Sequence, residues 1–306
     1  MLIVFTATLI SCEDSTRLPA LPPGAEAISL LGDTLRTPSL SPDLFDEYNR
    51  NLLEAVMEYR VDPEEMDALI WLGRRTAYMG LYRDAVRIYT EGIFKKPEDP
   101  RLYRHRGHRY LTLRKFDLAI DDFKMAEILM RGSEDQTEPD GLPNAAGVPQ
   151  STLKSNVWYH MGLAHYLKGD FENAVESYRK ALELDLTNDM RIAVLYWYYS
   201  SLKRLGMDAD AGRLIAEVSE EIELFENQTY LNLLLVFKGV FDSDYLMEVE
   251  EDAVQNATLG YGLGNWHLMN GREERAFKIW EEIVKEGFWP AFGYIAAEAE
   301  IARIRG

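Results

Sequence analysis

The sequence predicts an all-α fold, a superhelical solenoid of antiparallel helix pairs with a C-terminal capping helix. Three observations predict it. Small and aromatic residues recur in one register with a 34-residue period, apolar residues between them fall at helical spacing, and glycine or proline stands at the joints. At 306 residues, 47% of them hydrophobic and 11% aromatic, the chain can bury a substantial core. Its net charge of −18 repels phosphate, which excludes non-specific binding of nucleic acid or of an anionic membrane surface as the main activity. Any anion site must be local. The single cysteine, Cys12, permits no intrachain disulfide and no Cys-rich zinc site.

From the N-terminus, Leu2 to Ile10 is an apolar run too short to span a bilayer, and it ends in Leu9-Ile10-Ser11-Cys12. This resembles the lipobox of bacterial lipoproteins. The resemblance implies a signal peptide over residues 1–11, a lipid on Cys12 as the only membrane attachment, and an outer-membrane lipoprotein of the bacterial cell envelope. The alternative is a cytosolic chain with an incidental cysteine. Residues 12–40 hold Pro19, Pro22, Pro23 and Pro38 with Gly, Ser and Thr and no helical period, which reads as an extended tether. Ser41-Pro42-Asp43 then gives a helix start, and Leu44, Tyr48, Leu52, Val56 and Tyr59 follow at helical spacing. The solenoid is expected over 41–304.

The register itself is Gly73, Gly80, Tyr82, Ala85, Tyr89, Gly92 and Pro97, repeated 34 residues on as Gly107, Arg114, Phe116, Ala119, Phe123, Ala126 and Arg131. A third copy supplies Trp158, Gly162, Gly169, Phe171, Ala174, Tyr178 and Ala181. Small residues let paired helices approach closely while large ones fill the holes between pairs. The pattern resembles the tetratricopeptide-repeat (TPR) family, with repeats at 66–99, 100–133, 155–188, 192–225 and 257–290 and a degenerate one at 226–256. Residues 290–304 read as the helix that covers the open end of the stack. The layout is also similar to bacterial outer-membrane TPR lipoprotein adaptors of the NlpI type, which implies recruitment of protein partners and a possible homodimer.

In that family the first helix of each repeat lines a concave groove. The resemblance places there Trp71 and Arg74 of repeat one, Arg101, Arg104, His105 and His108 of repeat two, Tyr159 and His160 of repeat three, Tyr196, Trp197 and Arg204 of repeat four, and Tyr261 and Asn265 of the late repeat. An ordinary solvated face carries Glu, Lys and Gln, whereas this one is aromatic and basic. Arg101, Arg104, His105 and His108 form one stripe of one helix. Such a stripe asks for an anion, either a partner's carboxylate or phosphate held by Arg forks, or acids of neighbouring helices such as Asp67, Asp121 and Asp122. Gly262 leaves room in the groove for a ligand or another chain. His165 and His267 read as packed between helices.

The insertion at 133–154 contains Glu138-Pro139-Asp140-Gly141, and long ordered insertions in compact arrays tend to be functional. Folded over the rim, it brings Asp140 beside Arg104 and His160; otherwise it bulges outward. His105, His108 and His160 have a metal-capable spacing but lack a matching carboxylate, so no metal or other cofactor is expected. No nucleophile elbow, Walker loop or Rossmann fingerprint is present. The expectation is a non-enzymatic binding protein for an acidic peptide, a protein or a glycan, with no nucleic-acid partner. The alternative is a hydrolase-type enzyme using His105, His108, His160 and Asp140 as catalytic groups.

Overall fold

The computed structural model describes residues 18–243, 246 and 256–306. Cys12 and the signal-peptide segment lie outside the described residues. Thirteen helices and one small hairpin make up the described part. The helices are α1 (Pro42–Val61), α2 (Met66–Tyr78), α3 (Tyr82–Lys95), α4 (Pro100–Thr112), α5 (Phe116–Leu129), α6 (Leu153–Lys168), α7 (Phe171–Leu182), α8 (Asn188–Arg204), α9 (Asp208–Leu214), α10 (Gln228–Lys238), α11 (Ala257–Met269), α12 (Glu273–Glu286) and α13 (Phe292–Arg305). No described helix is long and apolar enough to cross a membrane.

Seven of the thirteen described helices begin at a residue whose side chain caps them. The side chain of Ser41 accepts the Leu44 N–H ahead of Pro42, Asp99 does the same for Arg101 ahead of Pro100, and Thr152 with Ser155 forms a reciprocal capping box on α6. The pairs α2/α3, α4/α5, α6/α7 and α11/α12 close on one recurrent contact. A Cβ on Gly73 would stand 2.4 Å from the Tyr89 ring, on Gly107 2.8 Å from Phe123, on Gly162 2.6 Å from Tyr178, and on Gly264 2.3 Å from Trp280. In each pair the glycine of the first helix is the slot for the aromatic of the second. These rings are fully buried and form the spine of the core.

Three segments depart from a plain stack, and all three reach the inner face. The proposed tether is in part folded. Residues Ala25–Ile28 and Thr34–Arg36 pair as antiparallel strands β1 and β2, burying Ala25, Ala27 and Leu35. Glu26 accepts the backbone N–H of Arg83 at the start of α3 (2.9 Å), and the Arg36 carbonyl accepts the Trp289 indole N–H (2.8 Å). The extended reading failed because Ala25, Ala27 and Leu35 carry the weakest apolar alternation a strand can show. The insertion lies inward, its Thr137 bridged to Thr152. The closing helix does more than cover an end: α13 packs on α11 and α12 and also reaches α6, and Gly293 crosses so close to Ala257 that an added Cβ would meet its carbonyl oxygen at 2.0 Å.

Candidate partner-binding site

The inner face divides at α6. On the C-terminal side the expected groove residues are buried. Tyr196 and Asn265 are 0% exposed, Trp197 and Tyr261 1%. Trp197 donates to the Tyr159 hydroxyl (3.0 Å), the hydroxyls of Tyr166 and Tyr261 share a hydrogen bond (2.6 Å), and Asn265 donates to Ser200 (3.1 Å). Arg204 pairs with Glu300 of α13, which also holds Arg303 (2.6 Å). Gly262 leaves room for Leu233 of α10, whose side chain would be 2.3 Å from an added Cβ. These residues therefore line no open groove; the chain's own α10 and α13 fill it.

The residue that secures α13 was not among the expected ones. Arg114 occupies the turn between α4 and α5 at φ +60°, where the equivalent turns use Gly80 and Gly169 at φ +77° and +83°. A left-handed backbone at a non-glycine residue is costly, and here the guanidinium is anchored. It binds Glu298 of α13 through two nitrogens (2.7 and 3.2 Å) and donates to the Trp289 carbonyl (3.0 Å). Glu298 also accepts the Leu30 N–H from the hairpin (2.5 Å). A non-glycine at a glycine register position was the available signal for this lock.

On the N-terminal side the insertion covers the groove only in part. Glu138 pairs with Arg104 (2.8 Å), stands 3.6 Å from His105 and accepts from Asn156 (3.1 Å). Arg74 donates to the Pro139 carbonyl (2.7 Å) and Arg75 to the Gly141 carbonyl (3.0 Å). The stripe on α4 is thus shared out. Arg101 pairs with Asp67 and Asp99, Arg106 with Asp122, and Arg104 with the insertion. Arg104 also contacts Nδ1 of His105 (3.1 Å) and of His108 (3.5 Å), so those nitrogens accept and the protons sit on Nε2. Nδ1 of His160 donates to the Asn156 carbonyl (2.7 Å). His108 and His160 stack at 4.5 Å, and Phe292 of α13 closes on both. Burial, followed by the charges of Arg104 and Arg109 among others, holds all three histidines well below the usual imidazole range. They are neutral at pH 7. Asp140 approaches Arg74, and burial raises its pKa; it does not join the histidines. Among the described residues no group of His, Cys, Asp and Glu is arranged to hold a metal. His165 is buried against Asp170 (2.9 Å) and His267 accepts from Arg275 (2.9 Å).

What stays open is a rim pocket of about 230 Å³ between α2, α4 and the insertion, lined by Trp71, Arg74, Arg101, His105 and Glu138 among others. Arg74 and Arg75 lie over the Trp71 ring at 4.4 and 4.9 Å. Neither has a carboxylate within ion-pair distance among the described residues, and the acid that approaches Arg74 is Asp140 of the insertion.

These features define an all-α helical-repeat protein with a partly self-filled inner face. Residues 155–188, spanning α6 and α7, match the tetratricopeptide repeat model. The chain is similar to Hsp70-Hsp90 organizing protein 2 of Arabidopsis thaliana, 30% identical over 110 residues, which are 35% of this chain and 15% of that protein. It is also similar to RNA polymerase II-associated protein 3 of Mus musculus, 26% identical over 137 residues, 43% of this chain and 18% of that one. The chain thus spans less than a fifth of the curated relatives it matches. Among solved structures, a tetratricopeptide repeat protein from Parabacteroides merdae aligns over 85% of this chain and 98% of its own at 16% identity and TM-score 0.49. YrrB, described as a TPR protein with an unusual peptide-binding site, aligns over 76% and 91% at 14% identity and TM-score 0.42.

Proposed function

We propose that this protein is a non-enzymatic adaptor that captures an acidic, extended segment of a protein partner at the rim beside Trp71, Arg74 and Arg75. The observation that carries the reading is the insertion itself. Glu138-Pro139-Asp140-Gly141 lies across this surface with its carboxylate on Arg104 and two backbone carbonyls on Arg74 and Arg75, an intramolecular instance of the ligand class. Arg74 and Arg75 form no ion pair among the described residues, and an Arg fork matches a carboxylate. Trp71 beside them supplies the kind of aromatic and arginine contact that dominates interface energetics. A peptide fits this surface better than a glycan, because two guanidiniums already stack on the Trp71 ring that a sugar would need.

The test is fluorescence anisotropy with labelled acidic peptides and their Glu→Gln counterparts. Trp71→Ala and Arg74→Ala are each expected to weaken binding by about tenfold or more with helix content unchanged. Equal binding of the charged and amide peptides would sink the reading.

The envelope location belongs to the same proposal and is supported by Leu9-Ile10-Ser11-Cys12. Arg83 donates to the Pro19 carbonyl (2.6 Å), so only six residues lie between a lipidated Cys12 and the folded body at Pro19. That chain reaches at most ~25 Å, which would hold the adaptor close to the membrane. Metabolic labelling with a palmitate analogue should disappear in Cys12→Ala; label that persists removes the anchor.

A further inference from the structure

Behind the insertion, sharing Arg74 and His105 with the rim pocket, lies a second cavity of about 100 Å³. Three guanidiniums line it, those of Arg74, Arg104 and Arg109, with the rings of His105 and His108 and two tyrosines; no carboxylate is among its lining residues. Arg104 is 7% exposed, and its Nε is buried without a hydrogen-bond partner. Arg109 lies over the Tyr82 ring at 5.5 Å and has no carboxylate within ion-pair distance among the described residues. Glu138 pairs with Arg104 from the insertion side and Asp140 faces Arg74, which leaves the charge of Arg109 in excess. In a chain of net charge −18 such a gathering of cations around one small cavity is a local exception, and partly buried charge without a counter-charge is costly.

We propose that this cavity is a site for one free, small tetrahedral oxyanion of the phosphate or sulfate class. Arg104 Nε and the forks of Arg74 and Arg109 are the donors, and such forks bind oxyanions through short charge-assisted hydrogen bonds. The histidines surround the ion as neutral rings, adding polarity without adding to the repulsion between the cations. The cationic lining favours an anion, and the small volume excludes a large ester group. The site adjoins the proposed rim function and shares Arg74 and His105 with it, but Arg109 lines only this cavity and Trp71 only the rim pocket, so each site has a residue that reports on it alone.

The experiment uses the full chain and inorganic phosphate, with sodium chloride at equal ionic strength as the reference. Calorimetric titration and thermal melting should show saturable binding and a phosphate-dependent rise in Tm beyond the chloride effect. Arg109→Gln removes a cation that pairs with no carboxylate, so the fold should survive; its phosphate affinity is expected to fall by about tenfold, the loss of one charge-assisted contact. Trp71→Ala should leave the phosphate midpoint unchanged while peptide capture is lost, which separates the two sites. Stabilisation that chloride reproduces, or an unchanged phosphate midpoint in a folded Arg109→Gln protein, overturns the proposal. O-phosphoserine binding as tightly as phosphate overturns the claim that the anion is free.

Discussion

The two halves of the inner face solve one problem in different ways. Both present arginines from the inner helices, and in both the chain supplies its own acids to meet them. The C-terminal half receives a helix: α13 delivers Glu300 to Arg204, and its Glu298, 0% exposed, locks it across to Arg114 at the turn between α4 and α5. The N-terminal half receives a loop, which delivers Glu138 and two carbonyls to the arginines and leaves Arg74 and Trp71 lining an open pocket. A helix satisfies its own backbone and can be buried on all sides, whereas a loop must leave much of its backbone near water. The difference teaches that the sealed half is architecture and the partly covered half is where recognition remains possible.

The largest expected effect breaks the sealed half. Glu298→Ala leaves the Arg114 guanidinium buried without its partner, removes the acceptor of the Leu30 N–H, and unlinks the hairpin from α13. Breaking a buried ion pair from one side costs about 3–5 kcal/mol, measured here by urea denaturation. A loss below about 1 kcal/mol, the range of exposed pairs, would show that α13 is not locked as described.

Acid should act next, through the other half. His105, His108 and His160 have folded pKa values below the unfolded value of about 6.5. Above that value neither state is protonated and the full stability is present. Below it the unfolded chain takes up protons that the folded chain refuses, so stability falls as the pH drops from the unfolded pKa toward the folded ones. At about 1 kcal/mol per histidine, the loss is about 3 kcal/mol between pH 7.5 and 5.5. A flat stability curve over that window would mean the three rings are charged or exposed in the native state.

The sequence made the repeat register legible because packing writes it directly: a glycine and an aromatic sixteen positions apart can meet only if two helices cross there, as Gly73 and Tyr89 do. Gly162→Ala should accordingly cost about 1–3 kcal/mol through its clash with Tyr178, read from the shift in denaturation midpoint. The occupancy of the groove was not legible. Glu298 and Glu300 look like the solvated face of an ordinary helix until the fold turns that face inward, and the need for acids near Arg104 and Arg204 does not say which of 51 acidic residues will answer. Arg101 and Arg106 found theirs on adjacent helices, at Asp67 and Asp122. Arg104 and Arg204 found theirs in the insertion and in the closing helix, at Glu138 and Glu300, segments that lie outside the repeat register.

The smallest expected effect sharpens the contrast most. Glu138→Gln keeps the shape of the insertion and removes the charge opposite Arg104, a loss of about 2 kcal/mol for a hydrogen bond between charged groups. If the insertion is a loosely held occupant, that loss stays local. Amide exchange should quicken over residues 136–141 while α11 and α13 exchange as before, because no described contact of Glu138 touches them. If exchange in α13 quickens equally, the loop and the helix form one cooperative unit, and the open half is as much architecture as the sealed one. The peptide titration then decides between the two outcomes on independent grounds: a loosened insertion should expose more of Arg74 and Arg75 and tighten capture of an acidic peptide, whereas a global loss of structure should weaken it.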